Sequence, residues 1–123
     1  MKILIVEDET TLSNVLGDKF KKEGHKVEVE ASGTKALATA KDFKPDLILL
    51  DLLLPGKGGL EILEELKDDE DTKSIPVVIS SNLDDDENIK KALKLGAADY
   101  YVKSQHPINE IVEKVEEIAK KAR

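Results

Sequence analysis

The chain has 123 residues, 40% of them hydrophobic and 37% charged, which is one domain's worth of chain with enough apolar content for a core. No apolar run approaches the roughly 20 residues a membrane helix needs, the Met-Lys start is too short for a signal peptide, and the absence of cysteine excludes disulfide and thiolate chemistry, as suits a cytoplasmic protein. A net charge of −7 with no tryptophan argues against direct nucleic-acid binding and leaves no stacking platform for bases.

In chain order, the first apolar run is Ile3–Val6, closed by Glu7 and Asp8. Leu12, Val15, Leu16 and Phe20 then make a helical face that stops at Gly24, a C-cap candidate. A second strand is predicted over Val27–Glu30, and a shorter helix on Ala36, Leu37 and Ala40, entered through Ser32-Gly33-Thr34. Leu47–Leu50 is apolar throughout, as a central strand covered on both faces should be, and it delivers Asp51 to its carboxyl end. Leu60, Ile62, Leu63 and Leu66 predict a third helix, Pro76–Ser80 a fourth strand, and Ile89, Ala92, Leu93 and Leu95 a fourth helix ending at Gly96. Tyr100–Val102 is the fifth strand. Ile108, Ile111, Val112, Val115, Ile118 and Ala119 form a last helix, started after Pro107 and running nearly to the end of the chain.

Strand followed by helix, five times over, predicts an α/β fold: a five-stranded parallel, doubly wound sheet flanked by five helices. Residues 1–123 read as a single domain with no output domain. The acids at Asp68–Asp71 and Asp84–Glu87 read as solvated segments flanking helices, the second also serving the start of the fourth helix. His25 and His106 lack metal-spaced partners and read as surface residues.

The chemistry gathers at one edge. Ligands of an open α/β sheet collect at the carboxyl ends of the strands, and here those ends carry Glu7-Asp8, Asp51, Ser80-Ser81 and Lys103. An acid after a strand is commonly a turn former, but acid, acid, hydroxyl and amine at one edge are hard to assign to turns alone. Three carboxylates meeting there repel one another unless a hard cation lies between them. The pattern predicts a divalent-metal site with one aspartate free for chemistry.

At this point the chain resembles the receiver domain of two-component response regulators (the CheY-like family, with a flavodoxin-like fold). The motifs are Ile5-Val6-Glu7-Asp8-Glu9, Asp51-Leu52-Leu53-Leu54-Pro55-Gly56 with Gly59-Leu60-Glu61, Ile75-Pro76-Val77-Val78-Ile79-Ser80-Ser81, and Gly96-Ala97-Ala98-Asp99-Tyr100-Tyr101-Val102-Lys103. The resemblance implies a signalling module rather than a conventional enzyme. In it Asp51 accepts a phosphoryl group from a phosphohistidine on a sensor histidine kinase or phosphotransfer protein, and the domain promotes its own phosphorylation and slow autodephosphorylation. It implies Mg2+ held by Asp8, Asp51 and the backbone carbonyl of Leu53, with Glu7 acting through water. Ser81 would hydrogen-bond the phosphoryl group, Lys103 would pair with it, and Ser81 with Tyr100 would form the switch, while Tyr101 alternates into the core. The read-out surface for a downstream protein would be the fourth helix, fifth strand and last helix, on a monomer or a weak phosphorylation-dependent dimer that binds neither nucleic acid directly nor membrane.

The chain departs from the family pattern at Ser104, where proline is usual, which leaves the isomer of the Lys103–Ser104 bond open, and at Lys57-Gly58. Leu53 and Leu83, two residues past Asp51 and Ser81, offer no group to orient a hydrolytic water, so the two leucines should shield the acceptor and prolong its phosphorylation. Asn82 is larger than usual and should narrow access for small donors. A receiver excised from a larger regulator, with a DNA-binding or enzymatic output, is the alternative. An engineered or consensus chain also fits a composition without cysteine or tryptophan. A flavodoxin-like cofactor binder is disfavoured because Glu7-Asp8-Glu9 stands where a phosphate-cradling loop is needed. An aspartyl-phosphate hydrolase fails because Leu53 stands where its second acid belongs.

Overall fold

Isoleucine, leucine and valine crowd the strands because parallel strands covered by helices on both faces must be apolar on both. In the computed structural model, which describes residues 1–122, the strands are β1 (Lys2–Val6), β2 (Lys26–Glu30), β3 (Leu47–Leu50), β4 (Val77–Ser81) and β5 (Asp99–Val102). Between them run α1 (Thr10–Lys22), α2 (Ala36–Phe43), α3 (Gly59–Asp68) and α4 (Asp86–Lys94), and α5 (Ile108–Lys121) follows β5. Single 3-10 turns at Gly33–Lys35 and Lys103–Gln105 precede α2 and α5. The sheet order is β2-β1-β3-β4-β5, with every pairing parallel.

Side chains alternate across the sheet with the period of two. Leu4, Val6, Ile48 and Leu50 face α2, α3 and α4, where Ile62, Leu63 and Leu66 are fully buried. Ile3, Ile5, Leu47 and Leu49 face α1 and α5, against Phe20 and Val115. The expected architecture is present with all five strands in place.

Some sequence expectations need correction. Val15 and Leu93 were placed on buried helix faces, but they are 37% and 46% exposed. Ser13 and Gly17 take the inward positions of α1 beside Leu16 and Phe20, because a small residue lets that helix lie close to β2, where Val27 Cγ1 is 3.7 Å from the position a Cβ on Gly17 would take. On α4 only Ala92 is buried. That helix rests lightly on the sheet and leaves leucine in solvent. Val29 on β2 is 41% exposed, since β2 is an edge strand.

His25 is not a surface residue. Its ring is largely buried, stacks edge-on to Phe20 with centroids 6.1 Å apart, and donates through Nε2 to the Glu116 carboxylate at 2.9 Å. Its Nδ1 accepts from the Met1 amine at 3.1 Å. A polar ring enters this core because both nitrogens find partners. His106, closer to expectation, is partly exposed and paired with Glu110 at 2.9 Å. At the start of α4, Asp85 caps the Asn88 N–H at 3.2 Å, as the acidic run anticipated. Among the described residues no peptide bond is cis, so the Lys103–Ser104 bond is trans.

Candidate functional site

Register brings the acids together. Val6 on β1 pairs with Leu50 on β3, so the next residues, Glu7 and Asp51, emerge side by side at the carboxyl edge. The Asp51 N–H continues the ladder by donating to Val6 O at 3.0 Å. Glu7, Asp8 and Asp51 each offer an oxygen, and these oxygens lie within 4.8 Å of one another. Glu7 and Asp51 are buried and Asp8 is exposed, so the cluster opens to solvent on the Asp8 side.

Lys103, at the end of β5, reaches into the cluster. Its Nζ donates to Asp51 Oδ2 at 2.9 Å and to Glu7 Oε1 through a shorter bond. The remaining oxygens are also held: Asp51 Oδ1 accepts the Leu53 N–H at 3.0 Å, and Glu7 Oε2 accepts the Glu9 N–H at 3.1 Å. Two buried carboxylates thus share one ammonium, and the repulsion that called for a cation is met in part by a tethered one. The sequence places Lys103 at this edge, but not its direct pairing with Glu7, 96 residues away.

Electrostatics follow from burial. Desolvation raises the Glu7 carboxyl above its ordinary range, the Lys103 and Glu9 hydrogen bonds pull it back, and the Asp51 charge pushes it up again. Burial also opposes the charge on Lys103, but its bonds to Glu7 and Asp51 outweigh that and hold its pKa above the ordinary value. Both directions describe an ammonium gripped by two acids in a poorly hydrated site.

Ser81 is completely buried at the end of β4, and its Oγ accepts the Leu83 N–H over a long 3.4 Å. Tyr100 is half-buried and donates its hydroxyl to Leu83 O at 2.6 Å. Leu83 is therefore held at its N–H by Ser81 and at its carbonyl by Tyr100. Tyr101 points to the opposite face, buried with Ile3 and Val115, and donates to Asp99 Oδ2 at 2.7 Å. The two leucines thought to shield Asp51 part company: Leu53 is 51% exposed at the mouth, whereas Leu83 packs against the core beside Tyr100. Asn82 is exposed.

The site suits a hard divalent cation. Three carboxylates form an all-oxygen set with an exposed side at Asp8, where a hard ion such as Mg2+ could keep its waters. Counting Glu7, Asp8 and Asp51 against Lys103 leaves two negative charges, which one such ion would balance.

Comparison with known proteins agrees. Residues 3–116 match the family model described as "Response regulator receiver domain". The chain is 34% identical over 114 residues to the "DNA-binding response regulator MtrA" of Mycobacterium tuberculosis, covering 93% of this chain and 48% of that protein. It superposes with a TM-score of 0.88 on the BeF3-activated N-terminal receiver domain of Klebsiella pneumoniae RstA, at 31% identity, covering 98% of this chain and 99% of that one. It superposes with a TM-score of 0.80 on the Mn2+-bound form of response regulator Rcp1, at 30% identity, covering 95% and 90% of the two chains. The chain belongs to the response regulator receiver domain family, the phosphoacceptor modules of two-component systems. Receiver domains bind Mg2+ at an acidic pocket and interact with histidine kinases or phosphotransfer proteins. The chain spans about half the length of the curated relatives it matches. No helix among the described residues is long and apolar enough to cross a membrane.

Proposed function

We propose that Asp51 is the phosphoacceptor, and one observation carries the reading: Asp51 is the buried carboxylate at which the acidic cluster, the Lys103 ammonium and the Leu53 N–H converge. An Asp51 oxygen attacks the phosphorus of a phosphohistidine, a phosphorus–oxygen bond forms as the phosphorus–nitrogen bond breaks, and the imidazole leaves. Phosphoryl transfer depends on positioning and charge neutralisation more than on covalent help, and this chain provides both. Lys103 moves from the Asp51 carboxylate to the phosphoryl oxygens. The Ser81 hydroxyl turns to donate to them and gives up the Leu83 N–H. Asp8, Asp51 and the Leu53 carbonyl would hold Mg2+ directly and Glu7 through water; the Mn2+-bound form of Rcp1 supports a divalent ion in this fold. The ion, when bound, supplies charge neutralisation for the transferring group.

Because Ser81 and Tyr100 hold the two ends of one residue, a change at Ser81 bears on Tyr100 through Leu83. Phosphorylation then shifts the population between two arrangements of this loop and alters the α4–β5–α5 surface read by a downstream protein. The donor is a sensor kinase or phosphotransfer protein in the cytoplasm. A second reading is favoured by the coverage of the relatives. MtrA is named as DNA-binding and is about twice as long as the matched region, so residues 1–123 fit the receiver of a regulator with such an output.

Asp51→Ala should abolish labelling by a phosphorylated kinase or a small acyl phosphate with Mg2+ present, while Asp8→Ala should remove the Mg2+-induced amide shifts at residues 7–9 and 51–53. Labelling of Asp51→Ala at the wild-type rate would sink the assignment.

A further inference from the structure

The turn between β2 and α2 carries none of the proposed chemistry, yet it presses on the loop that does. That loop, residues 51–58, leaves β3 and returns to α3. Its neck is closed at Gly59, whose N–H donates to Leu52 O at 3.1 Å. A Cβ on Gly59 would stand 2.2 Å from Leu52 Cα, so the two segments touch backbone to backbone. On its outer side the loop meets Gly33. A Cβ there would stand 2.8 Å from Lys57 O, 2.9 Å from Ile62 Cδ1 and 3.3 Å from Lys57 Cβ. Lys57 is also tied to α3 through Glu65 at 2.6 Å.

The loop is therefore a short ring, fixed at the neck by Gly59 and leaning on Gly33 at its far side. Leu53 lies within that ring, its N–H donating to Asp51 Oδ1; its carbonyl is the backbone ligand in the proposed metal site. We infer that Gly33 is a positioning residue for metal binding: the bare backbone of the β2–α2 turn lets the β3–α3 loop settle where the Leu53 carbonyl completes the cation site. The inference rests on the reading of Asp8, Asp51 and Leu53 as the Mg2+ ligands.

Gly33 is not needed for its dihedral freedom, since it lies in a 3-10 turn outside the left-handed region. Alanine would adopt the same backbone, and the effect of a substitution is the collision alone. Ordinary contact begins at 3.4 Å, so Lys57 O at 2.8 Å must retreat by about 0.6 Å. Ile62 is fully buried and cannot easily yield instead. With the neck held, the movement is taken up along the ring that contains Leu53. Sites of this kind tolerate displacements of about half an ångström.

The test is Mg2+ titration of the unphosphorylated protein, followed by amide shifts at residues 7–9 and 51–53, with thermal melts alongside. Gly33→Ala should weaken Mg2+ binding roughly threefold to tenfold. Ile62→Val is the control: it loosens the same core without touching Lys57 and should lower the melting temperature while leaving Mg2+ affinity unchanged. If Gly33→Ala alone is too unstable to assay, it is compared in the Ile62→Val background, where Cδ1 is gone and Lys57 O still opposes the methyl. Wild-type affinity in the alanine variant, or equal weakening in Ile62→Val, would overturn the positioning role. A wild-type protein that shows no Mg2+-induced shifts would instead overturn the metal reading beneath it.

Discussion

Lys103→Met removes the ammonium and keeps most of the side-chain volume, leaving Glu7 and Asp51 buried together without a counterion. Removing one partner of a buried ion pair costs about 3–5 kcal/mol. The site opens to solvent beside Asp8, so the lower end applies, about 3 kcal/mol. For 123 residues, an unfolding entropy of about 2.1 cal/mol/K per residue gives about 0.26 kcal/mol/K, and the melting temperature should fall by about 12 °C in metal-free buffer at pH 8. The deficit should depend on pH with a definite sign. Burial already raises the Glu7 carboxyl in the folded protein, and loss of the Lys103 hydrogen bond raises it further. A carboxyl with its folded pKa above the unfolded value binds its proton more tightly when folded. Its contribution is fully present below the ordinary value of 4.5 and is lost as pH rises through the folded value. The deficit should therefore shrink from pH 8 to pH 5, and Mg2+ should also reduce it by replacing the missing charge. Adding Asp51→Asn to the methionine variant should recover part of the loss, because it removes one of the two unpaired charges. Circular-dichroism melts of wild type, Lys103→Met and the double variant, at both pH values with and without Mg2+, decide the matter. A methionine variant melting within about 3 °C of wild type at pH 8 without metal would refute the shared-ammonium account.

Two further outcomes follow from the geometry. Leu53 is the exposed leucine at the mouth, so Leu53→Asn alone, by offering a group to orient water, should speed decay of phosphorylated protein by roughly tenfold, equivalent to about 1.4 kcal/mol of barrier; unchanged decay after donor removal would show that this side chain does not control water. Thr72 is fully buried and donates to Leu66 O at 2.6 Å, so Thr72→Val should lower stability in urea by about 1–2 kcal/mol without altering phosphorylation.

The strands were legible because four apolar runs and a short aromatic one recur at regular intervals, and Leu47–Leu50 could only be central. The edge that gathers Glu7, Asp8, Asp51, Ser81 and Lys103 was legible for the same reason: each follows a strand, and a parallel sheet brings strand ends to one side. Helix faces were less reliable. Val15 and Leu93 satisfy helical spacing, but a helix of two or three turns buries a narrow stripe, and small residues such as Ser13, Gly17 and Ala92 can take the closest positions. His25 was misread because its partners, Glu116 and the Met1 amine, are distant in sequence. The close approach of Gly33 to Lys57 and Ile62 was invisible since nothing in a sequence shows what a missing methyl would strike.

The Lys103–Asp51 and Lys103–Glu7 bonds span 52 and 96 residues, and Lys103 follows the last strand to join the sheet. Contacts of such separation carry a larger loop-closure entropy than local ones. While the protein is being synthesised, a chain extended only through β4 holds Glu7, Asp8 and Asp51 without the amine that neutralises them or the strand that carries Tyr100. The arrangement around Asp51 is therefore complete only once β5 has joined the sheet.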